Sequence, residues 1–430
     1  RSTAAAVILG GLEEEEDKDG ADVDPSQKVK ELAQAGKPDE ASRLLLEELA
    51  ANHDVDASAF EALIAAYATW GRSQEAAQWF NRMAACGLER GVKAHTSLVT
   101  AWALQSNAER ASQFLAKLEA EGKELDSHIY TSVISAHAEN LNSSAAEGLF
   151  NAMLEKGITP DAAAANAVLK AFVKRGNLPA AVHWLESMPQ RRLQATQVSY
   201  TTLLGGFAEV NKEEQVRQWL ETMQAARFCP KVVTYNAIIA GFSKQGMVDE
   251  AEGWFQRLQA EGLHPDVTTY NRIISACGSD TDRALHWFGE MRARSVLPDA
   301  VSYHSMIRSC AKAVQPGLAR RWLKNMQRAG LQPGVIAWSS LLAACAKGQD
   351  KDLGEQSLRE MVAGRVRPNA YTAKAVKNLF GAEKGEELLR QLNVDVSPEV
   401  SSARGKWRVA KPRSQSPAKK SERQRPRAPF

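Results

Sequence analysis

Tryptophan recurs along this chain at 79, 184, 219, 254, 287 and 322, and Phe114 and Leu149 fill the one gap in the series. The step is 35 residues throughout, except for 33 between Trp254 and Trp287. Four residues later runs a second series: Met83, Leu118, Met153, Met188, Met223, Leu258, Met291, Met326 and Met361. Large apolar side chains four apart share one face of a helix, so one amphipathic helix recurs with this period. A third series lies earlier in each unit: Tyr67, Trp102, His137, Phe172, Phe207, Phe242, Cys277, Cys310 and Cys345. It marks another helix, separated from the first by a turn that carries Gly71, Gly176 or Gly246. Each unit closes on a loop such as Gly-Leu-His-Pro-Asp at 262–266, where Pro and Gly terminate helices. A chain built of stacked antiparallel helix pairs folds as an α-solenoid.

The period also assigns the residues that would otherwise suggest chemistry. Cys277, Cys310, Cys345 and His137 occupy a slot that other units fill with Phe, Tyr or Trp, which predicts burial between helices. Cys86 and Cys229 complete the five cysteines, and no pair forms CxxC, so neither a zinc site nor a disulfide framework is indicated. No cofactor, metal or catalytic residue is expected. No apolar run approaches the length of a membrane span. The net charge of +3 hides a division along the chain. Residues 1–24 hold eight acids and two bases, residues 401–430 hold ten bases and one acid, and the stretch between them balances. Segments so charged and poor in apolar residues cannot bury a core. The expected organisation is therefore an acidic disordered leader at 1–24, the solenoid at 25–394, and a basic, Ser/Pro-rich disordered tail at 395–430. Because the chain begins at Arg1, a preceding segment such as a transit peptide is left open.

Complete units run 57–91, 92–126, 127–161, 162–196, 197–231, 232–266, 267–299, 300–334 and 335–369, with a degenerate unit at about 22–56 and a shortened one at about 370–394. The unit beginning Val232-Val233-Thr234-Tyr235-Asn236 continues through a Lys-x-Gly turn at 244–246 and Asp249-Glu250-Ala251 to a closing Pro265-Asp266. It closely resembles the pentatricopeptide repeat, as do Thr268-Thr269-Tyr270-Asn271, Val301-Ser302-Tyr303 and Val198-Ser199-Tyr200-Thr201. Uniform 35-residue units look like the plain P-type array of that family. The resemblance implies an all-α, right-handed α-solenoid of about ten to eleven 35-residue helix-turn-helix repeats. It also implies a monomer that binds single-stranded RNA, one base per repeat, in a plastid or mitochondrion. Organellar RNA-processing or ribosomal proteins are possible partners, with roles in transcript stability, splicing or translation. A helical scaffold that grips peptides, of the 34-residue tetratricopeptide type, is the alternative.

Carried over from the family, the fifth residue of each unit reads a base edge with help from the residue that closes the unit. Thr96 with Asp126, and Thr131 with Asp161, then suggest G. Asn236 with Asp266, and Asn271 with Asp299, suggest U, and Ser339 with Asn369 suggests A. Asn166 with Thr196 leans to a pyrimidine, and Thr201 with Lys231 to a purine. Glu61 with Gly91 and His304 with Gly334 give no reading. The implied target is G-G-Y-R-U-U-N-A. Val198, Val233, Val301 and Ile336, in the second position, would lie beside base faces. Lys174, Lys244, Lys312 and Lys347, which share one slot near the end of the first helix, would meet phosphates.

Overall fold

The computed structural model describes residues 25–392 apart from 52, 54, 106, 123 and 124. The acidic leader at 1–24, the basic tail at 395–430 and the last two residues of the expected solenoid, 393 and 394, lie outside the described residues.

Twenty-two α-helices among the described residues form eleven consecutive antiparallel pairs, with one short 3₁₀ turn at Pro189–Arg191. Among the described residues there is no strand, and no helix is long and apolar enough to cross a membrane. First helices begin where the repeat predicts, as in Ala57–Thr69, Ser127–Glu139, Val232–Gln245 and Val335–Gly348. Their starts are set by the residue that closes the preceding unit. The side chains of Asp126, Asp161, Asp266, Asp299 and Asn369 each accept from the main-chain N–H three residues on. That satisfies one of the amides a helix start leaves unpaired.

The turn inside each pair needs a left-handed residue. Gly71, Gly176 and Gly246 supply it at φ of 69°, 80° and 73°. Units lacking glycine there force Leu141, Asn211, Val314 and Gln349 into the same conformation.

The three ladders are the core. All nine residues of the Met/Leu series are buried, and Cys277, Cys310, Cys345 and His137 are buried in the aromatic slot. Burial pushes the Cys277 and Cys345 thiols up to about 12 and that of Cys310 up to about 11, the behaviour of cysteines used as small apolar residues. The Trp series meets the preceding unit edge to face: Phe150 and Trp184 have ring centroids 5.0 Å apart, Phe255 and Trp287 4.8 Å, and Phe288 and Trp322 4.7 Å. Bulky rings thus hold successive second helices apart.

Gly206 and Gly241 meet the preceding first helix at close range, and the same slot holds a small residue in the other units: Ala66, Ala101, Ala136, Ala171, Ala276, Ser309 and Ala344. All are buried. First helices accordingly approach one another closely, as in Gln197–Glu209 against Val232–Gln245, and no two second helices come as near. Each unit is a wedge, and a stack of wedges curves toward its thin side. The first helices therefore line the concave face.

The 33-residue unit loses its two residues at one place. Its first helix, Val267–Ala276, stops after ten residues, and Asp280 caps the second, Thr281–Ala293. The start and the close of the unit keep their geometry.

Candidate nucleic-acid interface

The fifth residue of a first helix faces the first turn of the next first helix, beside the capping residue that closes its own unit. Where it is Asn, the two side chains bond. Asn236 Nδ2 donates to Asp266 Oδ1 at 3.1 Å, Asn271 Nδ2 to Asp299 Oδ1 at 3.0 Å, and Asn166 Nδ2 to Thr196 Oγ1 at 3.1 Å. The sequence reading paired these residues, and the structure brings them together. Asn271–Asp299 has the geometry of Asn236–Asp266, so the shortened unit leaves the pairing intact.

The third residue of the following unit joins each pair, a role that sequence reasoning missed. Thr269 Oγ1 lies 2.7 Å from Asn236 Oδ1 and 2.8 Å from Asp266 Oδ1 and shares its one proton between them, and Ser199 Oγ donates to Asn166 Oδ1 at 2.5 Å. Ser339 Oγ and Thr372 Oγ1 lie 2.7 Å apart, and Thr372 donates to Asn369 Oδ1 at 2.9 Å. The signal was present as the hydroxyl of the Val-Ser-Tyr and Val-Thr-Tyr motifs. Ser199, Thr234, Thr269, Ser302 and Thr372 are all fully buried. Burial opposes the charge of Asp266, but the bonds from Thr269 and Asn236 outweigh it and hold its carboxyl below the usual aspartate range. The amide of Asn236 is thus fixed in orientation by an anionic acceptor and a hydroxyl donor. At Asn271 the hydroxyl of Ser302 turns to Asp299 instead, at 3.0 Å, and Asn271 Oδ1 is left buried with no partner within the protein.

The other reading positions behave differently. Thr96 and Thr131 turn their hydroxyls back to the carbonyls of Val92 and Ser127, each at 2.8 Å, and bond neither Asp126 nor Asp161. Thr201 Oγ1 lies 3.3 Å from Thr234 Oγ1, while Lys231 occupies the cap position of the next helix. At His304, burial keeps the imidazole neutral to lower pH than usual and leaves Nε2 without a partner.

Second-position residues stand out from the concave face. Val233 is 68% exposed, and Val198, Val301 and Ile336 are also exposed. Tyr371 holds the same slot in the last pair and is 60% exposed. It was missed from the sequence.

Of the four lysines in the shared slot, two are engaged across the unit boundary. Lys174 Nζ lies 2.6 Å from Glu139 Oε2, with Lys170 Nζ 2.7 Å from the other oxygen, and Lys244 pairs with Glu209. Lys312 and Lys347 are exposed and have no ion-pair partner among the described residues. Burial works against the Glu139 charge, but hydrogen bonds and charge from Lys170 and Lys174 prevail and lower its carboxyl from the ordinary 4.5 to about 2. A depressed folded value stabilises the protein above the unfolded value, and the gain fades as pH falls from about 4.5 toward about 2. Glu139→Gln is therefore expected to be less stable than the parent in urea melts at pH 7. The two curves converge as the pH approaches 2; a difference independent of pH would contradict the ion-pair account.

Among the described residues no group of three or more His, Cys, Asp or Glu side chains is placed to hold a metal ion.

Four family models match the chain. One described as the PPR repeat family covers residues 160–209 and 230–279, and one described as pentatricopeptide repeat-containing protein covers 31–153. A pentatricopeptide repeat domain model covers 321–383, and a PPR repeat model covers 198–228 and 301–331. No curated protein matches. Among solved structures, the pentatricopeptide repeat protein PPR10 from maize matches with 23% identity and a TM-score of 0.53. The match covers 87% of this chain and 55% of that one. PPR10 in complex with an 18-nt psaJ RNA element matches with 18% identity and a TM-score of 0.57, over 87% and 56% of the two chains. The chain thus spans little more than half the length of these two PPR10 structures. Repeat period, wedge-shaped helix pairs and the family models laid along the array agree: the chain belongs to the pentatricopeptide repeat family.

Proposed function

We propose that this chain binds single-stranded RNA along its concave face, one nucleotide per unit, and acts on organellar transcripts by occupying a specific segment. The observation that carries this reading is the recurrent, fixed amide. Asn166, Asn236 and Asn271 are each held by the residue that closes the unit, at 3.0–3.1 Å. An amide so anchored keeps its second N–H in a defined direction, as a donor for a base edge, and an exposed apolar side chain in the second position offers a surface for the base plane. A strand bound this way is shielded from exonucleases and cannot pair, which suits transcript protection, splicing or translation. The same fold in PPR10 holds an RNA element. The family resemblance is the support for a plastid or mitochondrion.

The test is competition among single-stranded RNA, the same sequence as DNA, and duplex RNA for the full chain at fixed salt. Preference for the RNA strand is expected, and equal binding of all three would sink the reading. A protein-binding scaffold is the second reading, favoured by the exposed apolar row Trp70, Leu104 and Leu141 at the turns of three successive units. Absence of any nucleic-acid binding would put it first.

A further inference from the structure

The concave face changes electrostatic character halfway along. In the five first helices of units 57–231, three bases (Lys93, Lys170, Lys174) equal three acids (Glu61, Glu139, Glu209) in number. Lys170 and Lys174 pair with Glu139, Glu209 pairs with Lys244 of the next unit, and Lys93 alone of the three bases is exposed with no ion-pair partner among the described residues. The five first helices from Val232–Gln245 to Ala370–Phe380 contain no Asp or Glu and seven Lys or Arg. Two of those seven are spoken for, Lys244 by Glu209 and Lys377 by Glu386. The other five, Arg272, Arg308, Lys312, Lys347 and Lys374, are exposed and have no ion-pair partner among the described residues. Arg308 Nη2 reaches across the unit boundary to Ser275 Oγ at 2.9 Å, which holds its guanidinium over the groove. Lys312 leans toward Gly278, in the gap left by the shortened unit. Of the large apolar second-position side chains that are exposed among the described residues, Val233, Val301, Ile336 and Tyr371 lie in this half and Val198 in the other.

We infer that Arg272, Arg308, Lys312, Lys347 and Lys374 form a phosphate-binding track confined to units 267–299 through the last pair, so that the electrostatic grip on RNA comes from that half of the array. This rests on the proposed RNA binding and adds to it a division of labour. A cation already neutralised by a neighbouring carboxylate releases few counterions from a bound strand, whereas an unpaired one contributes its full share. Units 57–231 read bases with little net attraction. Arg272 and Arg308 sit outside the lysine slot that the sequence reading singled out.

Residues 170 and 308 supply a matched comparison. Both occupy the ninth position of their first helix, but Lys170 is paired to Glu139 and Arg308 is not. The affinity of the full chain for an eight-nucleotide RNA, G-G-C-A-U-U-C-A, is followed by fluorescence anisotropy across a salt series. Arg308→Gln is expected to reduce the log–log salt slope by about 0.7 and weaken binding roughly 4-fold at physiological salt. Lys170→Gln is expected to change binding by less than about 1.5-fold. The fivefold variant R272Q/R308Q/K312Q/K347Q/K374Q should lower the slope by about 3 and weaken binding by about 100-fold or more. Circular dichroism confirms its helical content. Equal effects of Lys170→Gln and Arg308→Gln, or a fivefold variant within about 3-fold of the parent, would overturn the track while leaving RNA binding standing. A parent chain that binds no RNA would overturn the proposed function itself and the track with it.

Discussion

Asn236→Thr is expected to change the nucleotide preferred opposite unit 232–266 from U to G, with a swing of about 10- to 100-fold in relative affinity. Discrimination by one well-placed pair of side-chain hydrogen bonds is worth about 1–3 kcal/mol, and only this unit's contacts change. The substitution leaves Thr269 bonded to Asp266 at 2.8 Å, so the cap of the next helix survives. Thr with a closing Asp is the combination that Thr96 and Thr131 already show. The measurement is a panel of four RNAs that differ at one base, titrated against parent and variant. A uniform loss across all four would mean that Asn236 contributes to the fold and reads nothing.

Gly241→Ala should cost the array about 3 kcal/mol, an unusually large effect for a single methyl group. A Cβ at 241 would stand 2.5 Å from Ala208 Cβ and 2.8 Å from both the Glu209 nitrogen and the Gly205 oxygen. Two of those three neighbours are backbone, so the helices Gln197–Glu209 and Val232–Gln245 must separate to admit it. Separating them also widens the concave face between the fifth residues of units 197–231 and 232–266. The matched control is Gly246→Ala. There the φ of +73° resists a side chain but nothing lies within 4 Å of the new atom, so the cost is about 1 kcal/mol. Urea unfolding followed by circular dichroism separates the two. Similar losses would mean that helix contact at Gly241 does not govern packing.

What could be read from the sequence, and what could not, follows from the range of the interactions involved. Helix pairing and unit boundaries were legible because Trp254 and Leu258 repeat their face in every unit, and helix periodicity needs only neighbours in sequence. The pairing of Asn236 with Asp266 was legible through the family resemblance. The second job of Asp266, capping the next helix through the Thr269 amide, was passed over, although both residues stood in the quoted motifs. Contacts that cross the unit boundary were harder. Glu139 and Lys174 sit at the same position of successive units, and only the stacking direction shows that they meet at 2.6 Å. The small-residue ladder through Gly206 and Gly241 is quieter than the Trp ladder, because alanine and glycine are common and their meaning here is the closeness of two backbones. Thr96 and Thr131 show the opposite case. They fit the reading pattern by type, but their hydroxyls bond their own helix at 2.8 Å. A bound base would have to draw those hydroxyls away, whereas the Asn amides are already in place.

If the concave face reads a particular single strand, as proposed, the order of the bases must govern affinity. The most direct test is the affinity of the full chain for G-G-C-A-U-U-C-A against a scrambled RNA of the same composition, at two salt concentrations. At least a 10-fold preference for the ordered strand is expected, and it should persist at the higher salt, because base contacts are less salt-dependent than phosphate contacts. Equal affinity for the two strands, falling together as salt rises, would contradict the proposed reading.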